Sequence, residues 1–436
     1  MRLVAKRKSI GIAICGLGNV GGETARLLRS RKAELSARLG APVHLRWVVS
    51  RHASTAARKL GLPASVKRAK TPKAALNDPA VDVVVELFGG LDAARRLVLD
   101  AFAAGKHVVT ANKHLVSERF EELDRAARKA RRGLAFEAAV AGGIPIIGAI
   151  RDGLAANRVE RIVGIFNGTT NYILSKMAHE GCEMNSALAE AQALGMAERD
   201  PTMDINGMDA AHKIAILGSM LSGHWVPPRK IAREGIERVE AEDVRFAVER
   251  LGHTVRLLGT VAPAKKGTAV EAHVQPTLVP LKHPLAAVHG GYNAVLIQAS
   301  SAEDLMFYGK GAGPGPTASA ILADVLHVSQ ANQRQPAFNL RGQAKIRPEA
   351  QAPYYLKLRV ADVPGALSGI TGKLGKEGIS IAQIFQNERG GRSVPVMILT
   401  HKTSREKLDR AIRGVLKLKT VSRRHSRLRL LPDDNA

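Results

Sequence analysis

Six residues near the start of the chain, Gly16-Leu17-Gly18-Asn19-Val20-Gly21, constrain the fold more than any other stretch. They fit the pattern GxGxxG and stand between an apolar run, Ser9 to Cys15, and an amphipathic stretch, Glu23 to Arg38. The latter reads as a helix with Ala25, Leu27, Leu28, Leu35 and Leu39 supplying much of its apolar surface. Glycines at this spacing permit a tight turn and close backbone approach, so a pyrophosphate can rest on the helix N-terminus. Such turns also occur for purely structural reasons, but the strand-to-helix context favours dinucleotide binding by Gly16, Leu17, Gly18, Asn19, Val20 and Gly21.

Further short apolar runs follow at Val43 to Val49, Val81 to Leu87, His107 to Thr110 and Leu134 to Glu137, separated by amphipathic stretches. That alternation is the pattern of a parallel sheet with crossover helices, so residues 1–137 are expected to form a Rossmann-like domain. An acidic residue usually closes the second strand of such a domain and bonds the ribose hydroxyls of NAD. Here the strand ends in Ser50-Arg51-His52. A cation at that point can accept a 2′-phosphate, which tilts the expectation toward NADP with Arg51 as its partner. NAD stays open, as does Arg51 being a solvated loop residue.

At roughly 100 to 200 residues per domain, 436 residues should divide into two to four units. The hydrophobic fraction of 45% and charged fraction of 24% are those of a soluble globular chain. No apolar run approaches the ~20 residues of a membrane span, and the basic stretch Met1 to Lys8 lacks the apolar core of a leader. Two cysteines, Cys15 and Cys182, are too few for a disulfide framework. A cytoplasmic protein without a membrane partner is expected. The net charge of +26 raises nucleic-acid binding as a rival, since Lys and Arg clusters gain affinity by counterion release. Aromatics are only 4% and the basic residues are spread along the chain without a recognition motif, so no nucleic-acid partner is expected. Attraction of anionic substrates and cofactors is the milder reading of the charge.

From Ala138 the texture changes, and residues 138–318 are expected to form an α+β substrate and dimerisation domain. Ala318 to His327 reads as helical, so 319–330 is taken as a helix returning to the nucleotide domain. A polar run from Gln330 to Pro336 opens a linker over 331–352. In 353–431, Tyr354, Leu356, Leu358 and Val360 alternate with Tyr355, Lys357 and Arg359, as in a half-buried strand. A turn at Asp362-Val-Pro-Gly365 leads into a helix carrying Leu367, Ile370 and Leu374. A strand at Ile379 to Phe385, a turn at Gly390-Gly391, a strand at Val394 to Thr400, a helix from about Ser404 to Leu416 and a strand near Leu428 complete βαββαβ, a ferredoxin-like unit.

The densest chemical constellation runs from Gly195 to Lys213, where Glu198, Asp200, Asp204, Asp209 and Lys213 fall within nineteen residues, interrupted by Pro201 and Gly207. If a helix begins near Gly207, Asp209 and Lys213 share one face at i, i+4. Taken alone, such a pair is most simply a surface salt bridge.

The stretch Ala191 to Lys213, with Gly195, Asp200-Pro201, Asp204, Gly207, Asp209 and Lys213, resembles the signature of homoserine dehydrogenases. Further blocks of that family stand in its order: Glu86-Leu-Phe-Gly-Gly90, Gly105 to Lys113, Phe136 to Pro145, Asn167-Gly-Thr-Thr-Asn-Tyr172 and Gly311-Ala-Gly313. The resemblance covers residues 10 to about 328. It implies reversible hydride transfer between C4 of homoserine and a nicotinamide, with aspartate semialdehyde as the aldehyde. By the same resemblance Lys213 is the proton donor and acceptor, and Lys113 holds substrate and cofactor. Glu198 and Asp209 bind the substrate beside Gly195, Asp209 also belonging to the catalytic set, and Asp204 stands behind them. Gly313 touches the cofactor, although Pro314-Gly-Pro316 departs from the usual sequence after it. Glu137 and the carbonyls of Val140, Gly142 and Ile144 occupy the family's monovalent cation position, suited to sodium or potassium. A structural turn with a solvated Glu137 is the alternative. Lysine serves both directions of proton transfer if its pKa is lowered, but Asp209 close to Lys213 would raise it. Sequence does not say which effect wins.

The C-terminal unit, through Asp362-Val-Pro-Gly365 and Gly378-Ile-Ser-Ile381, resembles the ACT domain, a small-molecule sensor. The resemblance implies threonine as a feedback ligand near Asp362 and Gly365; a dimerisation module without ligand is the alternative. The exposed edge strand of such a unit invites pairing with a second copy, hence a homodimer or homotetramer. The rival aspartate semialdehyde dehydrogenase needs a cysteine nucleophile, and neither Cys15 nor Cys182 sits in a nucleophile signature. A non-catalytic sensor would use the same glycine loop but gives no reason for Lys113, Glu198, Asp209 and Lys213 together. The chain reads as the single-function form, without a fused kinase, in threonine, methionine and isoleucine biosynthesis.

Overall fold

The computed structural model describes residues 9–264, 267–330, 338–386 and 393–431. The turn expected at Gly390-Gly391 and most of the polar run after Gln330 lie outside them. The first sheet contains β1 (Ile10–Cys15), β2 (Val43–Val49), β3 (Lys67–Ala69), β4 (Val83–Glu86), β5 (His107–Thr110) and β6 (Leu134–Ala135). They are parallel, in the order β3-β2-β1-β4-β5-β6. Every residue of β1 and β4 is buried, as expected for strands covered by helices on both faces. β3 was not foreseen; three residues, Lys-Arg-Ala, carry no apolar periodicity. The helix foreseen over Glu23 to Arg38 is two, Asn19–Ser30 and Lys32–Leu39, because Arg31 between them leaves helical geometry (φ −106°, ψ 19°). Helix Pro314–Ser329 packs Ile321, Leu322, Val325 and Val328 into the same core as Ile12 and Val83.

The remaining strands form one eleven-stranded sheet. Its central path runs through Glu303–Lys310, Tyr292–Ala299, Val159–Ile165, His253–Pro263 and Ala269–Pro280, then onward into the C-terminal unit through Val421–Leu430, Tyr354–Ala361, Ser393–Thr400 and Ile381–Gln386. The two halves join where Thr277 and Leu278 pair in parallel with Arg429 and Leu430. One edge of the ferredoxin-like unit is thus covered by its own chain, and Ile381–Gln386 is left as the open edge. The strand Tyr354–Ala361 is buried on both faces over Tyr354–Leu358, not half-buried, because its second face lies on helix Ala241–Leu251. There Tyr355 Oη donates to Asp243 Oδ1 (2.9 Å) and Lys357 Nζ to Glu240 Oε2 (2.6 Å). From 338 onward the stretch read as a linker is laid against the body: Phe338 and Leu340 donate their backbone N–H groups to Asp124, and Lys345–Arg347 pairs with Ala269–Glu271. Among the described residues no helix is long and apolar enough to cross a membrane.

Candidate active site

The carboxyl ends of β1, β2, β4 and β5 converge on the glycine loop. Gly16 has φ +111°, and its N–H donates to Val49 O at 2.8 Å, tying the loop to the end of β2. A Cβ on Gly21 would stand 1.9 Å from Gly16 O, so the helix reaches the loop only through glycine. At Gly18 no atom lies within 4 Å of a Cβ position, which leaves an open approach to the helix. That helix, Asn19–Ser30, has no side-chain cap and no acidic residue in its first turn, so its N-terminal N–H groups suit a phosphate. Arg51 stands exposed just beyond β2. At the end of β4, buried Glu86 accepts from Thr110 Oγ1 (2.6 Å) and from the N–H of Phe88 (2.7 Å), and burial pushes its carboxyl up. Asn112 Nδ2 donates to Gly90 O at 2.7 Å, so Glu86, Thr110 and Asn112 organise the crest of the sheet.

Lys113 opens helix Lys113–Ala130 directly beneath this crest. Facing it, helix Met208–Ser222 starts at Gly207 (φ +78°) and carries Asp209 and Lys213 on one face. Both are buried, at 3% and 7% exposure, which excludes the surface-pair reading. Lys213 Nζ donates to Asp209 Oδ2 at 2.7 Å and to the Phe166 carbonyl at 2.5 Å. Lys113 Nζ lies 2.5 Å from Asp209 Oδ1. One carboxylate therefore bridges two lysines that belong to different domains. Asn167 Nδ2 donates to Asp209 Oδ2 (2.9 Å) and to Asp204 Oδ1 (2.6 Å).

The electrostatics divide the two lysines. Burial pushes Lys213 down; Asp209 pulls it back up and the charge of Lys113 pushes it down again, leaving it below the ordinary lysine value. Burial also pushes Lys113 down, but Asp209, then Asp204 and Glu198, more than reverse this and hold it above that value. Asp209 is held well below the usual carboxylate range, since the two lysines outweigh its burial. Asp204 is raised by burial and by the charge of Asp209. Glu198 is exposed on the loop after Gly195, whose φ is +70°, and is near enough to act on Lys113. Gln192 Nε2 steadies that loop by donating to the Glu198 carbonyl at 3.1 Å.

Two further residues hold the lysine-bearing helices together. Buried His212 shares a 2.7 Å hydrogen bond through Nδ1 with Ser117 Oγ, and Trp225 Nε1 donates to Ser117 O at 2.7 Å. Burial, then the neighbouring His114, depress the His212 imidazole to about 4, so it clasps as the neutral ring. Cys15 lies inside β1, where burial and then Glu86 push its thiol up and out of nucleophile range.

Glu137 is buried, and its oxygens accept from the N–H groups of Ile147 and Gly148, both at 2.8 Å. Its own N–H donates to Asp324 Oδ2 at 2.7 Å. Burial raises the carboxyls of both, Asp324 the more strongly. The adjoining turn at Val140, Gly142 and Ile144 touches the segment before Gly313: Gly143 N–H donates to Lys310 O at 3.1 Å, and a Cβ on Gly142 would stand 2.4 Å from Gly311 O. Gly313 (φ +118°) then precedes helix Pro314–Ser329, so Pro314 falls at a helix start, where proline is at home. In the C-terminal unit, Asp362 and Gly365 line a cavity of about 460 Å³ with Gln386, at the uncapped start of helix Ala366–Lys376.

Sequence reading singled out both lysines and the carboxylates. It did not see the roles of Asn167, of the Phe166 carbonyl or of the Ser117–His212 clasp. Asn167 stood inside a noted block, but its partners are 37 and 42 residues away. Only the local pair Asp209 and Lys213 had a spacing signal.

Residues 16–137 match the family described as the NAD-binding domain of homoserine dehydrogenase, 145–326 homoserine dehydrogenase itself and 354–417 the ACT domain. The homoserine dehydrogenase of Mycobacterium tuberculosis is 40% identical, over 97% of this chain and 98% of that protein. The crystal structure of a homoserine dehydrogenase from Thiobacillus denitrificans superposes with a TM-score of 0.89 at 41% identity, covering 97% of this chain and 98% of that one. A hyperthermophilic archaeal homoserine dehydrogenase solved in complex with NADPH matches at a TM-score of 0.63 and 27% identity, covering 75% of this chain and all (100%) of that one. With an NAD(P)-binding fold and a regulatory ACT unit on one chain, this protein belongs to the homoserine dehydrogenase family, oxidoreductases acting on a CH–OH group.

Proposed function

We propose that the chain interconverts L-aspartate 4-semialdehyde and L-homoserine with NADP, using Lys213 as proton donor and acceptor, in threonine, methionine and isoleucine biosynthesis in the cytoplasm. The observation that carries this reading is the shared Asp209 carboxylate, which holds one lysine with a lowered pKa against one with a raised pKa. When bound on the glycine loop, the nicotinamide supplies or accepts the hydride. Lys213 gives its proton to the carbonyl oxygen in reduction and takes it from the hydroxyl in oxidation. Lys113, held as the ammonium, orients substrate and cofactor at the domain boundary. Exposed Glu198 offers a carboxylate to the substrate ammonium, while the oxygens of Asp209 are engaged by the lysines and Asn167. Asp209 thus assists chiefly by placing Lys113 and Lys213, with Asp204 behind it and Gly195 shaping the loop.

A monovalent cation, sodium or potassium, would lie against Glu137 and the carbonyls of Val140, Gly142 and Ile144. What supports it is the meeting of two buried carboxyls, Glu137 and Asp324, with no ion pair to either among the described residues. No cluster of three or more His, Cys, Asp or Glu suited to a metal occurs there, so backbone oxygens would complete the set. Threonine would occupy the cavity at Asp362 and Gly365 and act as feedback inhibitor. The open edge Ile381–Gln386 and the exposed, stacked Tyr292 and Tyr308 on the other border of the sheet support a homodimer or homotetramer.

Arg51 tests the cofactor assignment. A lost charge-assisted bond is worth roughly 1.5–3 kcal/mol, so Arg51→Ala should lower kcat/KM for NADP by about tenfold or more and leave that for NAD unchanged. Homoserine oxidation followed by cofactor absorbance, with and without threonine, measures both this and the feedback. Equal loss with both cofactors would refute the role of Arg51, and full activity at saturating threonine would refute the feedback.

A further inference from the structure

Strand Val159–Ile165 leads into Phe166-Asn167; the Phe166 carbonyl accepts from Lys213 Nζ, and Asn167 holds Asp209, the other partner of that lysine. Asn167 is buried, at 5% exposure, and both ends of its amide are committed. Its Oδ1 accepts from Thr170 N (2.8 Å) and Thr170 Oγ1 (3.0 Å), which caps helix Gly168–Glu180. Only an oxygen can accept from the Thr170 N–H, so the orientation of the amide is dictated and its NH2 group must face the acids. There it donates to Asp204 and Asp209 at once.

We propose that Asn167 is a positioning residue for the reaction: its amide fixes the Asp209 carboxylate with one oxygen on Lys113 and the other on Lys213, and separates that carboxylate from Asp204. The geometry leaves no other neutral donor on these acids among the described hydrogen bonds; the remaining contacts are the two ammonium groups. By taking part of the accepting capacity of Asp209 Oδ2, the amide weakens the pull of that oxygen on the Lys213 ammonium. The lysine is then easier to deprotonate, which the oxidative direction requires. This inference rests on Lys213 being the proton carrier.

Asn167→Ser separates the two jobs, because a serine hydroxyl still caps the helix but offers no NH2 to the acids. The rate of homoserine oxidation against pH should then show its alkaline-rising limb moved up by about half a unit to one unit, a roughly three- to tenfold loss below the limb. The plateau should be largely retained and the melting temperature close to that of the parent. Asn167→Ala, lacking cap and clamp alike, should show the same limb at a lower melting temperature. A limb unmoved in both variants, with only the melting temperature changed in the alanine variant, would make Asn167 a helix cap and nothing more. Lys213→Gln runs beside them: if it keeps both turnover and the limb, the proton-carrier reading has failed rather than the positioning one.

Discussion

Lys213 carries two opposed pressures, and the structure settles their balance. From sequence, the i, i+4 spacing to Asp209 argued for a raised pKa, while desolvation argued the reverse. Buried between the Phe166 carbonyl and Asp209, Lys213 feels desolvation as the larger effect, with the second cation, Lys113, adding to it. Local spacing was legible; enclosure was not, since it depends on a strand end and a helix more than forty residues apart in sequence. His212 was invisible for the same reason, its partner Ser117 lying 95 residues upstream. Its imidazole, depressed to about 4 in the fold, is ordinarily near 6.5 in an unfolded chain. Between those values the unfolded state binds the extra proton, so stability falls as pH drops from about 6.5 to about 4, by roughly 3 kcal/mol at most. His212→Gln should therefore show a flatter decline of melting temperature from pH 7 to pH 5 than the parent. An identical decline would mean that the clasp does not titrate.

At the scale of elements, the joint between helix Ala241–Leu251 and strand Tyr354–Ala361 is where sequence reading was least successful. Alternation in Tyr354 to Val360 suggested one wet face, but Tyr355, Lys357 and Arg359 face a row of acids on the neighbouring helix. Lys357, 2% exposed, meets Glu240 at 2.6 Å and Asp243 at 3.0 Å, while Arg359 meets Glu242 at 2.8 Å and Ser426 Oγ donates to Asp243 at 2.8 Å. Charged residues on a strand look solvated until their partners on another element are known. Lys357→Met would leave Asp243 buried without its cation, and truncating one side of such a pair destabilises by about 3–5 kcal/mol. Chemical denaturation should register that loss; a change below about 1 kcal/mol would place the cluster in effective contact with water. The apolar elements fared better. Strands such as Val83–Glu86 and Ser393–Thr400 announced themselves because burial demands apolar residues, whereas β3, with Lys-Arg-Ala, had nothing to announce.

At the scale of the whole molecule, the parallel sheet and the C-terminal unit were legible from periodicity and motif. The second sheet was foreseen only as an α+β domain with no strand named, and the continuity of that sheet with the C-terminal unit was not foreseen. The pairing of Thr277 and Leu278 with Arg429 and Leu430 makes one sheet of what sequence suggested were two bodies on a linker. Helix Ala241–Leu251 then lies between the regulatory strand and helix Gly168–Glu180, whose cap is Asn167. Ion pairs consume equal numbers of both signs, so the net charge of +26 is untouched by them and leaves the molecule basic, which suits anionic cofactors. All these elements converge on the claim that Lys213, seated by Phe166 and Asp209, moves the proton that accompanies hydride transfer. The most direct measurement is the initial rate of reduced cofactor formation from L-homoserine, comparing the parent with Lys213→Gln in protein shown to be folded. The account predicts a loss of at least about a hundredfold in kcat with little change in cofactor affinity. A variant that keeps kcat within a few-fold of the parent would contradict it.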